Sequence, residues 1–162
     1  MKIRILSPGK KLPDWIQKGY SEYAKRMPKS CQFELVELSL AQRTKKNYSA
    51  EKAKQEELAF FQAALNQSDF IVTLDEKAKP VSTMDLSKHL EHWQSLGRDI
   101  AILIGGPDGL APELLKIANQ KLRLSDLTLP HGLVRVLLAE QLYRAYTISA
   151  VSYTHLTLPT IA

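Results

Sequence analysis

The chain has 162 residues, of which 44% are hydrophobic and 24% are charged, and its formal net charge is +5. This composition is typical of one soluble globular domain and excludes a disordered chain. Because no apolar run approaches the roughly 20 residues that cross a bilayer, it also excludes a membrane-spanning protein, whereas the positive charge favours a polyanionic partner such as nucleic acid.

Cysteine usage and the first residues indicate a reducing compartment. Cys31 is the only cysteine, so no internal disulfide can form. The opening residues lack the apolar stretch and the small-residue cleavage site of a secretory signal. We therefore expect a cytoplasmic protein in which Cys31 is a small buried hydrophobe rather than a nucleophile.

Strand and helix patterns alternate from the start of the chain. Residues 2–6 alternate in polarity as a strand does. A helix follows between Asp14, which can cap it, and Pro28, which stops it. Residues 32–38 predict a short second strand.

A basic loop and two buried strands come next. Residues 39–48 predict a loop, and Ser49 can cap a helix whose inner face carries Leu58, Phe61 and Leu65. The apolar runs 70–74 and 100–104 are typical of strands covered on both faces. Between these strands lies a capped helix with the inner face Leu86, Leu90 and Trp93.

The last third of the chain continues the alternation. It predicts a helix over residues 112–119, a short extended piece over 122–124 and a long helix over 133–146. The whole pattern predicts an α/β fold with a largely parallel sheet flanked by helices in a single domain.

Two histidines raise the question of a metal site. His89 and His92 lie three residues apart on a predicted helix, a spacing that could present two imidazoles to one ion. No third type of ligand gathers near them, and neither HExxH nor CxxC occurs. We therefore expect no metal.

The strand 100–104 leads directly into Gly105-Gly106-Pro107-Asp108-Gly109. Ligands of parallel sheets bind at the carboxyl ends of strands, where glycines let the backbone approach them closely. A plain Pro-Asp-Gly turn explains the loop equally well. Since GxGxxG and P-loop motifs are absent, the two common nucleotide-binding classes are disfavoured.

Residues 124–132, Leu-Ser-Asp-Leu-Thr-Leu-Pro-His-Gly, form a second landmark before the long helix. A polar extended segment can offer backbone amides and carbonyls to a ligand, and Arg135 and Arg144 could meet phosphates. For Arg144, a helix ion pair with Glu140 is the simpler account. Leu-Thr-Leu-Pro recurs at 156–159 with no helix or glycine loop to support, so no structural repeat is predicted.

Three motifs in order carry a family resemblance. TLD at 73–75, LIGGPDGL at 103–110 and LTLPHGLVRVLLAEQLYRAY at 127–146 resemble the ribosomal RNA large subunit methyltransferase H family of SPOUT methyltransferases. The resemblance implies a trefoil-knotted α/β fold, a homodimer and S-adenosylmethionine as methyl donor. It also implies methylation of N3 of a pseudouridine in 23S rRNA on the ribosome.

The same resemblance implies which residues form the site. Cofactor contacts fall on two strand ends and on the extended segment, at Leu74, Gly105, Leu124, Ser125, Asp126, Leu127, Thr128 and Leu129. The candidate catalytic residues are His131, Arg135 and His155. His131 is equally well an RNA or proton contact or a helix-entry residue bonded to the backbone. Arg135 is either a substrate-phosphate contact or a surface or dimer ion pair.

The end of the chain departs from the family. The resemblance covers a domain of residues 1–150 and implies a tail Asn-His-Pro-Tyr-His-Arg at the active site, whereas residues 151–156 are Val-Ser-Tyr-Thr-His-Leu. Without gaps, His155 meets the family's second histidine, but Tyr153 is one place early and Leu156 replaces the arginine. We expect residues 151–162 to be foreign, with a lineage-specific tail as the alternative.

Two other classes of function stay open at this point. A non-catalytic, knotted module that binds RNA or the ribosome would share the fold without saturable cofactor binding. A doubly wound enzyme with another nucleotide is disfavoured by the missing fingerprints. Methyl transfer to nitrogen is a single displacement, in which alignment contributes about 7–11 kcal/mol and a general base about 3–5 kcal/mol, so no nucleophile and no metal are expected.

Overall fold

The computed structural model of the protein describes residues 1–44 and 46–154, with side chains described as far as Val151. Strands and helices alternate through these residues. The strands are β1 (Lys2–Pro8), β2 (Gln32–Leu38), β3 (Phe70–Leu74), β4 (Ile100–Leu103) and β5 (Gln120–Leu122). The helices are α1 (Asp14–Ala24), α2 (Ala50–Ala64), α3 (Thr83–Ser95), α4 (Pro112–Ile117) and α5 (His131–Thr154).

The strands form one parallel sheet with the order β2-β1-β4-β3-β5. Ile3 of β1 and Phe70 of β3 both pair with Ile100, so β4 lies between these two strands. The predicted parallel sheet with flanking helices is therefore confirmed. The trefoil knot stays a prediction, because strand order alone does not define how the chain is threaded.

Helices cover both faces of the sheet and create two cores. On one face, α1, α3 and α5 pack with the fully buried Trp93. On the other face, α2 and α4 pack with Phe61 and Leu114. Successive strand residues point to opposite faces, so Ile102 joins the first core and Leu103 the second. Burying each such side chain stabilises the fold by about 1.5–3 kcal/mol.

The caps of α2 and α3 and the burial of Cys31 follow the sequence-based expectations. The Ser49 hydroxyl accepts a hydrogen bond from the Lys52 amide at the start of α2. At the start of α3, Ser82 and Asp85 cap each other's backbone amides reciprocally. Cys31 is fully buried, as expected for a small hydrophobe.

The strand β5 lies two residues before the extended piece predicted at 122–124. The reason lies in Asn119, whose backbone amide donates to the Ile71 carbonyl while its side-chain oxygen accepts from the Ile71 amide. This double contact starts the pairing with β3 immediately afterwards. It also ends α4 at Ile117, earlier than predicted.

Two helix ends also differ from expectation. Asp14 is the first residue of α1 rather than its cap, because the preceding Pro13 occupies the cap position without a side-chain hydrogen bond. The last helix extends beyond residue 146, since Ser149 is buried and its hydroxyl donates to Glu91 of α3 at 3.2 Å. Among the described residues, no helix is long and apolar enough to span a membrane.

Candidate functional site

The segments that follow β3, β4 and β5 meet at the carboxyl edge of the sheet. Thr73 of β3 lies opposite Leu103 of β4, so the chain leaves both strands at the same level. The Asp75 amide donates to the Leu122 carbonyl at 2.9 Å, which brings the end of β5 to this edge. Open parallel sheets bind their ligands at such an edge.

The glycine loop, residues 105–109, is a tight turn. The Gly109 amide donates to the Gly106 carbonyl at 2.9 Å, and Gly109 has a φ of +88°. A Cβ atom on Gly105 would lie 2.7 Å from the carbonyl carbon of Gly109, closer than real contacts allow. The two interpretations of this loop are therefore compatible, since the turn itself presents its backbone to the neighbouring cavity.

A cavity of about 650 Å³ lies between the glycine loop and the segment before α5. A cavity of this size suits a cofactor-sized ligand. Seven of the eight residues expected to contact the cofactor line it, namely Leu74, Gly105, Leu124, Ser125, Leu127, Thr128 and Leu129. Leu127 is 75% exposed, which leaves a large apolar side chain uncovered at the cavity edge.

Asp126 is the expected cofactor residue that does not line this cavity. Its side chain is 82% exposed and forms an ion pair of 3.2 Å with Arg123, which does line the cavity. The Ser125 hydroxyl meanwhile accepts from the Leu127 amide at 2.9 Å and fixes the local turn. Asp126 therefore lies beside the cavity and contacts one of its charged residues.

Charged side chains of both signs also line the cavity, and the sequence motifs did not identify most of them. They are Lys54, Lys77 and Arg123 on the positive side and Asp75, Glu76 and Asp108 on the negative side. Together with leucine side chains and exposed backbone, they can receive a ligand that has an apolar part and charges of both signs.

His131 begins α5 and lines the cavity. Burial, together with the positive charges of Arg135 and Arg43, lowers the pKa of His131 below its ordinary value. The imidazole is therefore neutral at pH 7. Its Nε2 atom is buried without a hydrogen-bond partner, so this nitrogen is not used to bond the backbone. An RNA or proton contact of the ring stays a prediction.

Arg135 forms an ion pair, one of the two alternatives that the sequence left open, but its guanidinium is buried rather than at the surface. It is 1% exposed and does not line the cavity. Its guanidinium donates to the carbonyls of Ser7, Pro8 and Gly9 at 2.8–3.3 Å and to the carboxylate of Glu37 at 2.8 Å. A side chain held by so many acceptors positions the turn after β1 and is not free to meet a substrate phosphate.

The third candidate catalytic residue, His155, lies outside the described residues. The segment just before it is helical, because α5 continues through Thr154.

Two simpler expectations concern side chains outside the cavity. Arg144 donates to Glu140 at 3.0 Å on α5, as expected for a helix ion pair. The Nδ1 atom of His89 lies 2.9 Å from the side-chain nitrogen of Gln120. The described part of the chain holds no group of three His, Cys, Asp or Glu side chains that could bind a metal ion.

The sequence motifs did not identify a charged cluster beside the glycine loop. Glu57 of α2 is 1% exposed and forms an ion pair with Arg43, which in turn pairs with Asp108 of the glycine loop. Arg43 belongs to the basic stretch that the sequence predicts as a loop. A glutamate within an otherwise apolar helix face was the available signal, since such a residue is almost never buried unless it is paired.

A solved structure has a similar fold. It is that of a probable methylase family protein from Haemophilus influenzae Rd KW20, with a TM-score of 0.61 and 16% sequence identity. The likeness covers 98% of this chain and 72% of that one. At this level of identity, the comparison supports the fold alone.

Curated relatives are much more similar in sequence. The protein named ribosomal RNA large subunit methyltransferase H from Paraburkholderia phymatum is 52% identical over 149 residues, which are 92% of this chain and 95% of the relative. A protein of the same name from Nitrosomonas eutropha is 48% identical with the same coverage. Another, from Hahella chejuensis, is 46% identical over 148 residues, 91% of this chain and 94% of the relative.

A family match agrees with these relatives. The family described as "Predicted SPOUT methyltransferase" matches residues 1–155, which include all three sequence motifs and the cavity-lining segments. The resemblance stated from the motifs is confirmed by this match and by the relatives. The chain belongs to the SPOUT methyltransferase family.

Proposed function

We propose that this protein transfers the methyl group of S-adenosylmethionine to N3 of a pseudouridine in 23S rRNA of the ribosome. The observation that carries the proposal is the cavity at the carboxyl edge of the sheet, which brings together seven residues drawn from three separate segments of the chain. Relatives named ribosomal RNA large subunit methyltransferase H, at 46–52% identity, support the choice of rRNA as substrate.

The residues of the cavity fit S-adenosylmethionine chemically. Its adenosine part needs apolar walls and backbone partners, which Leu124, Leu129 and the chain between them provide. Its sulfonium and ammonium groups are positive and suit the carboxylates of Asp75 and Glu76, while its carboxylate suits a lysine such as Lys77. Apolar walls and charged side chains of both signs therefore suit, respectively, the neutral adenosine and the charged methionine part of this cofactor.

The cofactor supplies an electrophilic methyl group when bound, and the protein's own residues must orient the target base and handle its N3 proton. The glycine loop and the segment before α5 form opposite walls that restrict the motion of whatever lies between them. Such alignment lowers the reaction barrier by about 7–11 kcal/mol, more than a general base does. His131 lines the cavity and its pKa is lowered, so we propose its neutral imidazole as the acceptor for the hydrogen bond or the proton of N3.

A homodimer is the proposed assembly. A second cavity of about 680 Å³ lies beside the first and is lined largely by apolar side chains of α1, α3 and α5, among them Tyr23, Leu86, Leu133 and Leu137. Leu127 and Leu129 line both cavities. A partner copy seated in the second cavity would cover exposed apolar surface immediately next to the cofactor site.

We infer that residues 1–150 are the methyltransferase domain and that residues 151–162 replace the family's own ending. The cavity is built upstream of this tail, so cofactor binding persists while methyl transfer is weakened. Single-turnover methylation with the family ending restored is expected to be faster. Equal rates for the two versions would count against a catalytic role for the tail, His155 included. Since the proposed substrate is the ribosome, the proposed location is the cytoplasm.

The test is transfer of labelled methyl groups to ribosomes that lack the modification, offered both assembled and as separated subunits. We expect label in the RNA of large subunits, recovered after digestion as 3-methylpseudouridine, and none in small subunits. Protein-free 23S rRNA is included to show whether the assembled subunit is required. Saturable binding of S-adenosylmethionine without label in any RNA, both for this chain and for the version with the family ending, would overturn the proposal.

A further inference from the structure

The carboxylate of Glu57 lies in an unusual place for a charged group. It is on α2, is 1% exposed, and its neighbours Leu58 and Phe61 belong to the core beneath the sheet. A buried carboxylate destabilises a protein unless it is paired and hydrogen-bonded. Glu57 Oε2 accepts from the Ala41 amide and from Arg43 Nη1, each at 3.0 Å.

Arg43 extends from this buried carboxylate to the glycine loop. Besides its bond to Glu57, its guanidinium donates to the Ala41 carbonyl at 2.9 Å and, through Nε, to Asp108 Oδ2 at 3.1 Å. The side chains of Arg43 and Asp108 are 19% and 18% exposed, so solvent screens their ion pair only partly. Asp108 lines the cofactor cavity, whereas neither Arg43 nor Glu57 does.

The side chains of Glu57 and Arg43 also lie close to the backbone of the glycine loop at Gly106. A Cβ atom on Gly106 would lie 2.8 Å from Glu57 Oε1 and 3.3 Å from Arg43 Nη2. These two atoms are buried and have no hydrogen-bond partner. Glu57 and Arg43 therefore leave no room for a side chain at Gly106, and Arg43 also holds the loop by the side chain of Asp108.

The carboxylate of Asp108 also accepts a hydrogen bond from a residue that is partly exposed to solvent. The Tyr48 hydroxyl donates to Asp108 Oδ2 at 2.6 Å, and Tyr48 is 41% exposed. Tyr48 and Arg43 both lie in the segment between β2 and α2, and both contact the same oxygen of Asp108. The position of Asp108 therefore depends on that segment as well as on the turn of its own loop.

We propose that Arg43, fixed from behind by Glu57, is a positioning residue that holds Asp108 and the glycine loop in the shape that the cofactor requires. The inference rests on the proposed function, because the cofactor whose site the loop forms is S-adenosylmethionine. It adds residues from outside the family motifs to that site. Arg43 and Glu57 affect cofactor affinity indirectly, because they position Asp108, which lines the cavity.

The test compares cofactor affinity in four variants by calorimetry, with cofactor and RNA KM values from methylation assays. Arg43→Lys can contact only one of the two carboxylates, and we expect the Kd for S-adenosylmethionine to rise about tenfold. Tyr48→Phe removes one hydrogen bond from an exposed side chain, and we expect a rise of about threefold without loss of folding. Glu57→Gln keeps the shape but not the charge and is expected to resemble Arg43→Lys.

Gln55→Ala is the matched control. Gln55 lies on the same helix, two residues before Glu57, and its side chain bonds Glu113 of α4 at 2.8 Å. A merely structural role for the cluster would lower the melting temperature and the active fraction but leave the cofactor Kd equal to that of the control. That result in both Arg43→Lys and Tyr48→Phe would overturn the inference.

The inference and the proposed function fail in different ways. If the unaltered protein neither binds S-adenosylmethionine nor methylates RNA, the proposed function is wrong and the inference falls with it. If the unaltered protein does both, with the RNA KM unchanged across all variants and a raised cofactor KM in Arg43→Lys, the positioning role is supported. An equal rise in the RNA and cofactor KM values would contradict it.

Discussion

Arg135 and His131 lie four residues apart at the start of α5, yet their surroundings give them different roles. A Cβ atom on Gly9 would lie 3.4 Å from Arg135 Nη2 and 3.5 Å from His131 Nε2, so both side chains pack on the turn after β1. Arg135 satisfies the carbonyls of that turn, whereas His131 faces the cavity. The sequence showed two polar residues at a helix start, and only long-range contacts separate their roles.

Replacing Arg135 should lower the free energy of unfolding of the protein. Arg135→Met keeps most of the side-chain volume but leaves the carbonyls of Pro8 and Gly9 without their partner, and we expect the free energy of unfolding to fall by about 3–5 kcal/mol. Urea denaturation followed by circular dichroism measures the change. Arg26→Met, at an exposed ion pair with Glu22, is the control and should change little. Equal, small decreases in the free energy of unfolding of both variants would contradict the role of Arg135 in holding the turn after β1.

His131 predicts a pH dependence of stability. Its pKa is lowered in the folded protein by burial and by Arg135, whereas in the unfolded chain it lies near 6.5. The unfolded state therefore binds more protons, so stability is full above about pH 6.5 and falls as the pH drops towards the lowered pKa. His131→Gln should show a smaller fall over this window in denaturation curves, whereas the exposed His92→Gln should match the unaltered protein. The same dependence of the free energy of unfolding on pH in all three proteins would refute the assignment of this pH dependence to His131.

Among the elements, the glycine loop shows most clearly how backbone geometry forms the site. Its turn closes between Gly106 and Gly109, and Gly105 packs so closely against Gly109 that no side chain fits. We expect Gly105→Ala to displace the loop and to abolish saturable cofactor binding. The control is Gly97→Ala, at a φ of +66° with free space around it, which should lower stability by about 1 kcal/mol and leave cofactor affinity unchanged. Calorimetric titration of both variants checks this, and normal binding by Gly105→Ala would contradict it.

The elements also show what the sequence could and could not predict. The runs at β3 and β4 are apolar because both faces of these strands are covered, so their positions were predictable. β5 was misplaced because its start depends on Asn119 bonding Ile71, a contact between residues 48 apart. Residues 39–44 and 46–48 were correctly predicted as a loop, but the pairing of Arg43 with Glu57 and Asp108 is also long-range and leaves no local pattern.

For the whole molecule, the apolar cavity beside the cofactor site predicts an assembly. Leu137 of α5 lines this cavity and is partly buried within one copy. A charge introduced there would have to be buried against the partner, so we expect Leu137→Lys to shift the protein from dimer to monomer in sedimentation velocity experiments. Met84→Lys, at a position of α3 that is 55% exposed and outside the cavity, is the control and should stay dimeric. A dimer of unchanged stability in Leu137→Lys would rule out this interface.

The measurement that most directly tests the assignment of the cavity is the titration of the unaltered protein with S-adenosylmethionine, followed by calorimetry. We expect saturable binding with one cofactor per chain or, if the partner copy influences the site, one per dimer. We also expect competition by S-adenosylhomocysteine, which lacks the methyl group and the positive charge on sulfur but keeps the adenosine, ammonium and carboxylate groups, and no competition by ATP or NAD. No saturable heat, or displacement by those other nucleotides, would contradict the assignment of this cavity to a SPOUT methyltransferase cofactor.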